Sequence, residues 1–187
     1  MSCEHKTCFN IHYIQPSSYV YGPGNRYVIW LQGCTLKCPN CWNPQMHSSE
    51  PYILQEREKL LSSILNISSK IDGVTVLGGE PLEQSDNLLW LLEELNQKNV
   101  HIMLYTGYEI QEIQNNEIYS KICSYADILI PGRYLSKERD LSLKWRGSKN
   151  QQIISKEFSE IDECNQIEIL IDEFGKITYL GYPEPIL

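Results

Sequence analysis

Cys34, Cys38 and Cys41 stand four and then three positions apart in the stretch Cys34-Thr-Leu-Lys-Cys38-Pro-Asn-Cys41. Thiolates bind soft metals and iron–sulfur clusters, and a four-iron cube ordinarily takes four of them. One tight loop carrying three would hold three corners of a [4Fe-4S] cube and leave the fourth iron open to a small molecule. The spacing therefore points to a cluster that does chemistry rather than one that only stores electrons. Gly33 ahead of the loop and Pro39 within it suit a backbone folded around an inorganic core. Two other readings stay open: a zinc knuckle completed by His47, and a four-cysteine site reached by Cys123 or Cys164. Zinc motifs pair two separated halves, and the sequence has no matching half.

A second candidate is Gly78-Gly79-Glu80-Pro81, which follows the apolar run at residues 73–77. Glycines at a strand end let a ligand approach the backbone, and a carboxylate beside them can take an ammonium group by a charge-assisted hydrogen bond. Alone the four residues could be only a turn. After a buried strand, and beyond a cysteine loop, they read as a binding segment.

These residues need elements to hold them. Residues 26–32 are rich in β-branched and aromatic types and predict a buried strand running straight into the cysteine loop. A glycine-rich turn, Tyr21-Gly-Pro-Gly-Asn-Arg26, precedes it, and residues 11–15 predict a short strand. From there strands and helices alternate: helix 56–65, strand 73–77, helix 85–98 opened by a capping Ser85 or Asp86, strand 100–105, helical segments 109–115 and 117–124, and strand 127–130. Residues 166–171 and 176–180 predict a hairpin turning at Glu173-Phe-Gly175. Repeated βα units imply an α/β fold with a mostly parallel sheet and right-handed crossovers, whose sites sit at the carboxyl ends of strands. The units are too few for an eight-fold barrel, so a partial, open β/α barrel with a C-terminal β-hairpin is expected. We take residues 1–187 as one domain, with 1–25 as an N-terminal cap segment and 165–187 as hairpin and tail.

The 187 residues carry a formal net charge of −8, which argues against a general nucleic-acid binder. No apolar run approaches the ~20 residues of a membrane span, and the first residues lack the basic and apolar regions of a secretion signal. The seven cysteines are an odd number, with three clustered at metal-ligand spacing. That pattern fits a reducing compartment better than a disulfide framework, so a cytoplasmic protein is expected. Cys3, His5 and Cys8 are ligand types at close spacing; the simpler reading is a polar terminus with two thiols of no special role.

The three-cysteine spacing followed by Gly78-Gly79-Glu80 resembles the radical S-adenosylmethionine (SAM) superfamily, and the resemblance covers most of the chain. It implies that Cys34, Cys38 and Cys41 ligate a [4Fe-4S] cluster and that Gly78, Gly79 and Glu80 hold the SAM amino group. It further implies that Asn40 or Trp42 sits near the adenine, and that reduced cluster cleaves SAM to a 5′-deoxyadenosyl radical that abstracts hydrogen. More narrowly, Gly22-Pro-Gly-Asn-Arg26, Cys41-Trp-Asn-Pro44, Tyr105-Thr-Gly-Tyr108 and Trp145-Arg-Gly-Ser-Lys-Asn-Gln151 look like segments of the small activating enzymes of glycyl-radical proteins, above all the anaerobic ribonucleotide reductase activases.

On that likeness Thr106, Arg146 and Asn150 join the cofactor-binding candidates, although 146–150 could also be a solvated basic turn. Arg26 and Tyr21, around the glycine-rich turn, are the candidate substrate contacts, the simpler role for Arg26 being a surface ion pair. The implied partners are flavodoxin or ferredoxin as reductant and a glycyl-radical protein as substrate. The sequence departs from the group in two places. Pro131 stands where an aspartate is usual before Gly132-Arg133, and the chain runs on past Gln151. Both departures also fit relatives that act on small molecules, such as 7-carboxy-7-deazaguanine synthase and a queuine lyase of queuosine salvage.

Overall fold

The computed structural model describes residues 7–157 and 166–181. Seven strands form one mixed sheet in the order β3-β1-β2-β4-β5-β6-β7. They are β1 (Cys8–Ser18), β2 (Arg26–Leu31), β3 (Ile53–Glu56), β4 (Gly73–Gly78), β5 (Ile102–Tyr105), β6 (Ile128–Ile130) and β7 (Ile154–Ser155). The four central strands, β2, β4, β5 and β6, are parallel. The outer strands β1, β3 and β7 pair antiparallel. The helices are α1 (Arg57–Asn66), α2 (Ser85–Gln97), α3 (Ile110–Gln114) and α4 (Glu117–Ser124), and β8 (Ile167–Ile171) with β9 (Ile177–Gly181) forms a separate antiparallel hairpin.

The parallel strands read as continuous apolar runs because both of their faces are buried. Along β2, Tyr27, Ile29 and Leu31 enter one core while Val28 and Trp30 enter the other. β5 divides the same way, with Ile102 and Leu104 against Met103 and Tyr105. The first core takes the apolar stripes of the helices, including Leu60 and Ile64 of α1, Leu88, Leu91, Leu92 and Leu95 of α2, Ile113 of α3 and Ile122 of α4. The second is closed by irregular chain and by the hairpin, through Val20, Tyr21, Met46, Trp145 and Leu180. All four helices therefore lie on one face of the sheet.

The expected strands and helices are present within a few residues, and four details differ. β1 is longer than the alternation at 11–15 predicts, and the edge strands β3 and β7 went unread because short, half-exposed segments lack a clear period. The sheet is also less purely parallel than expected. Finally, α2 has no serine or aspartate cap: it continues from a 3₁₀ turn over Pro81–Gln84, and Glu80 caps that turn by accepting from Leu82 N. Cys3, His5 and Cys164 lie outside the described residues. Cys8 is buried on β1 and disulfide-bonded, unlike the idle thiol expected there.

Arg26 occupies the amino end of β2, in the core (0% exposed). It is neither at the surface nor beside the cysteines: Cys34 lies eight residues on, roughly 20–25 Å away along an extended strand. Its guanidinium donates to Val74 O (2.6 Å), Thr75 Oγ1 (3.1 Å) and His101 O (3.3 Å), and its Nη1 stands 3.0 Å from His101 Nδ1. Burial pushes its pKa down to about 10, against the pull of Asp72. Gly73 makes room for it, because a Cβ there would overlap Nη1 and the His101 carbonyl. Nearby, Tyr21 Oη accepts from Gly181 N (2.7 Å) and Glu168 accepts from Ser18 Oγ (2.6 Å), which fastens the hairpin at this end of the sheet. Arg26→Ala should take this donor from the Val74 carbonyl and the Thr75 hydroxyl, leave a cavity in the core and cost about 3 kcal/mol of stability. Urea unfolding measures that loss, while iron uptake should stay at the wild-type level.

Candidate functional site

The carboxyl ends of the four parallel strands converge on an open cavity. Each strand delivers a segment to it: Cys34–Trp42 after β2, Gly78-Gly79-Glu80 from β4, Thr106-Gly107 after β5 and Gly132 after β6. Parallel strands bring this about because their crossovers return every loop of one kind to the same end.

Cys34, Cys38 and Cys41 all line the cavity, and all three are free thiols. The loop turns tightly enough to need positive φ at Lys37 and Asn40 (44° and 54°), and Cys41 N donates to Cys38 O (3.1 Å). Its base is held by Gly33 N to Met46 O (2.9 Å), Cys34 N to His47 O (3.3 Å) and Thr35 N to Glu83 Oε1 (2.8 Å). Burial, with Glu80 and Glu83 adding repulsion, pushes the Cys34 thiol up to about 11, although the N–H groups of Lys37 and Leu36 favour its thiolate. Burial likewise raises Cys41. A cationic metal centre would reverse that preference, since coordination deprotonates a thiol outright. Among the described residues no three His, Cys, Asp or Glu side chains stand close enough to hold a single metal ion. Three thiols spread around one cavity suit a multi-iron group better than one zinc. Cys123 packs against the helix-side core and does not reach the cavity, and His47 supports the loop only through its carbonyl.

Glu80 is the one carboxylate among the lining residues and is 1% exposed. Oε1 accepts from Leu82 N (2.9 Å) and Thr106 Oγ1 (2.8 Å), and Oε2 from Gly107 N (2.7 Å). Burial outweighs these three bonds and raises its pKa to about 7. Among the described residues no Lys, Arg or His forms an ion pair with it. The pocket thus holds an anionic acceptor whose cation is not supplied by the described chain. The glycines beside it have a purely packing role as well. A Cβ on Gly78 would overlap Leu31 backbone, and one on Gly79 would overlap the Gly33 carbonyl.

Trp42 lines the cavity with the Arg139 guanidinium 4.3 Å from its ring centroid, and Thr106 reaches it while bonded to Glu80. The other candidates stand apart. Asn40 is exposed and donates to Ser136 Oγ (3.4 Å). Arg146 donates to Gln151 O (3.3 Å) within its own turn, and Asn150 to Arg133 O (2.8 Å), which ties that turn to the chain after β6; the turn meets the cavity through Gly147 and Gln151. Tyr21 and Arg26 lie at the far end of β2. Pro131 is buried after β6 and does not line the cavity, where Gly132 does.

Reading the sequence missed Gln151, whose Oε1 accepts from Gly147 N (2.9 Å) and whose Nε2 donates to Gly132 O (3.0 Å). It also missed Glu83, the anchor of Thr35. Glu83 follows Gly78-Gly79-Glu80 by three positions in a helical turn, which was the available signal.

The family model described as a 4Fe-4S single cluster domain matches residues 20–154. The chain is also similar to proteins named anaerobic ribonucleoside-triphosphate reductase-activating protein. That of Enterobacteria phage T4 is 35% identical over 156 residues, which is 78% of this chain and 94% of the relative. That of Pasteurella multocida is 31% identical over 153 residues (76% and 96%), and that of Escherichia coli K12 27% over 151 residues (77% and 97%).

The raised pKa of Glu80 makes a prediction for the cluster-free protein. An acid whose folded pKa (about 7) exceeds its unfolded value (4.5) stabilises the fold below about pH 4.5 and loses that contribution as pH rises through 7. The loss is worth about 3 kcal/mol. Unfolding free energies from urea titration at pH 4 and pH 8 should differ by about that much more in wild type than in Glu80→Gln, which cannot titrate.

Proposed function

Since the chain belongs to the family of 4Fe-4S single cluster domains, we propose that it is a radical SAM activase whose substrate is a glycyl-radical protein of the anaerobic ribonucleoside-triphosphate reductase kind. The observation that carries this reading is the meeting of three free thiols and one buried carboxylate, with no cation paired to it among the described residues, on a single open cavity. The mixed sheet, with its helices on one face, would be the open part of a β/α barrel.

In this reading Cys34, Cys38 and Cys41 hold the cluster, and Glu80 accepts the ammonium of SAM. The cluster, held there and reduced by flavodoxin or ferredoxin, would supply the one electron that cleaves SAM into methionine and a 5′-deoxyadenosyl radical, and that radical would take hydrogen from a glycine of the partner. The chain does the rest by placement. An ammonium at Glu80 offsets the cost of burying the carboxylate and keeps it ionised at neutral pH. Thr106 and the Gly107 N–H hold that carboxylate still, and Gly78 and Gly79 let the cysteine loop and the β4 end close on the ligand from both sides. Leu36, Leu77, Trp42, Tyr105 and Tyr134 wall the cavity with apolar surface, which strengthens each charged contact by keeping water out. Gln151 braces Gly132 and Gly147 in the cavity wall, with Arg146 and Asn150 supporting that segment.

The position of the hairpin favours a large substrate over a small one. A small-molecule enzyme needs its cavity covered, and residues 1–25 or the C-terminal hairpin are the candidate covers; none of the described residues before Arg26 lines the cavity. The hairpin is instead fastened to Ser18 and Tyr21, and none of its described residues lines the cavity. An open mouth is what a glycine loop of another protein requires.

Anaerobically reconstituted, reduced protein given SAM should form 5′-deoxyadenosine. With a reductase of the phage T4 or Escherichia coli kind it should also give a glycyl-radical doublet by electron paramagnetic resonance. Replacing any one of the three cysteines by Ala should remove the iron. Glu80→Gln should keep the iron and weaken SAM binding by about tenfold or more, the worth of one charge-assisted hydrogen bond. A fully loaded protein that makes no 5′-deoxyadenosine would reduce the assignment to electron transfer. Cleavage of added queuine without a protein radical would make it a 7-deazapurine lyase.

A further inference from the structure

Charge is distributed unevenly along this chain. Residues 131–151 carry six Lys or Arg against two Asp or Glu, in a chain whose formal net charge is −8. That stretch is therefore +4, which leaves −12 on the rest. It is also the stretch that follows β6 around the cavity. Gly132, Tyr134, Gly147 and Gln151 line the cavity, and Ser136 meets Asn40 of the cysteine loop. Exposed Lys37, between the lining residues Leu36 and Cys38, puts a further cation on the cysteine side of the mouth.

Part of this charge is neutralised within the chain, since Arg133 pairs with Glu112 and Lys149 with Asp140. Among the described residues no carboxylate pairs with Lys37, Lys137 or Arg139. Arg139 is the most telling of the three. Its guanidinium stands 4.3 Å from the ring centroid of Trp42, and its Nη2 is buried without an acceptor among the described residues. Trp42 in turn lines the cavity directly after Cys41. The wall beside the cysteines is thus a tryptophan that carries a cation with no counterion.

We propose that this rim is the docking surface for an acidic one-electron carrier protein, whose carboxylates meet Lys37, Lys137 and Arg139 and whose electron enters beside Trp42. The inference rests on the cluster assigned above to Cys34, Cys38 and Cys41. Charge is the first reason. An acidic partner is repelled by the negative remainder of the chain and steered to the rim, the steering weakening as salt shortens the Debye length below about 10 Å. Position is the second. A carrier must bring its redox group close to the cluster, and the rim borders the cavity on which the three cysteines meet. Character is the third. Encounters between redox proteins are small and brief, and charge complementarity governs their rate more than their lasting affinity. An arc of lysine and arginine, with Leu135 as its one exposed large apolar side chain, suits such an encounter. The glycine loop of a substrate protein needs the cavity itself rather than a charged margin. The step is a single electron transfer: the carrier's flavin or iron–sulfur group loses one electron, the cluster gains it, and no bond is made or broken.

Reduced flavodoxin and reduced ferredoxin are the probes, with photoreduced deazariboflavin as a small neutral reductant that needs no docking. Bleaching of the iron-loaded protein in anaerobic stopped flow reads the arrival of the electron. Isothermal titration with the oxidised carrier reads binding without turnover. In the wild type, the second-order rate constant with a carrier should fall as salt is raised to physiological ionic strength. Lys137→Glu with Lys149→Glu reverses two exposed charges of the rim. At low salt it should slow reduction by the carrier and weaken binding by about tenfold or more, the scale of electrostatic steering, and it should flatten the salt dependence. Reduction by deazariboflavin should stay unchanged. Should the glutamates disturb the rim, which a loss of bound iron would show, Lys137→Gln with Lys149→Gln repeats the test with half the change in charge. Rates with both carriers that ignore salt and the variants overturn the proposal. So does a variant that takes electrons normally but no longer activates the reductase, which would give the rim to the substrate protein. A wild type that even deazariboflavin fails to reduce overturns the cluster assignment, and this proposal with it.

Discussion

The site depends on how closely the end of β4 approaches the base of the cysteine loop. Two backbone hydrogen bonds define that approach, Gly79 N to Leu31 O and Glu80 N to Gly33 O, both 2.7 Å. Neither could form with a side chain at 78 or 79, because the first Cβ would enter the Leu31 backbone and the second the Gly33 carbonyl. The two glycines therefore matter less as an opening for a ligand than as the condition under which two neighbouring strand ends can lock together. Once they lock, Cys34 and Glu80 are brought to one cavity, and the Pro81–Gln84 turn carries Glu83 to Thr35, which holds the loop from the other side.

This lock sets up an electrostatic problem that the described chain does not solve by itself. Glu80 is buried with three hydrogen-bond donors and no cation, and Cys34 is buried between two carboxylates. Both groups are pushed toward their neutral forms, which is the unfavourable state for binding an ammonium or a metal. A cationic cluster and a cationic ligand would each favour the ionised form of the group facing it. On the reading proposed here, the pocket is costly to keep unfilled and gains most from being filled by positive charge.

The two ends of the parallel strands divide the work. At the carboxyl ends short loops and glycines leave room for a ligand. At the amino end of β2 a whole guanidinium is buried among carbonyls, a hydroxyl and an imidazole, and the terminal hairpin is pinned to the chain just ahead of it. That arrangement adds rigidity where no chemistry is called for.

What the sequence determined alone was everything encoded locally. The cysteine spacing, the glycine pair before Glu80, the period-two and helical runs and the hairpin turn at Glu173-Phe-Gly175 all lie within a few residues of one another, and each was legible. The edge strands β3 and β7 were not, because two to four half-exposed residues carry no period. Only the tertiary structure decided which polar residues meet. Arg26 looked like a substrate contact because it begins the strand that feeds the cysteines, yet a strand carries its two ends to opposite sides of the protein. Arg146 and Asn150 looked like ligands, yet one bonds within its own turn and the other ties that turn to Arg133, and the turn offers Gly147 and Gln151 to the cavity instead. Glu83 and Gln151 became part of the site through contacts with residues 48 and 19 positions away. Spacing along a chain specifies what a short loop can hold; which distant side chains share a cavity is settled by strand order and direction, and these arise only when the sheet assembles.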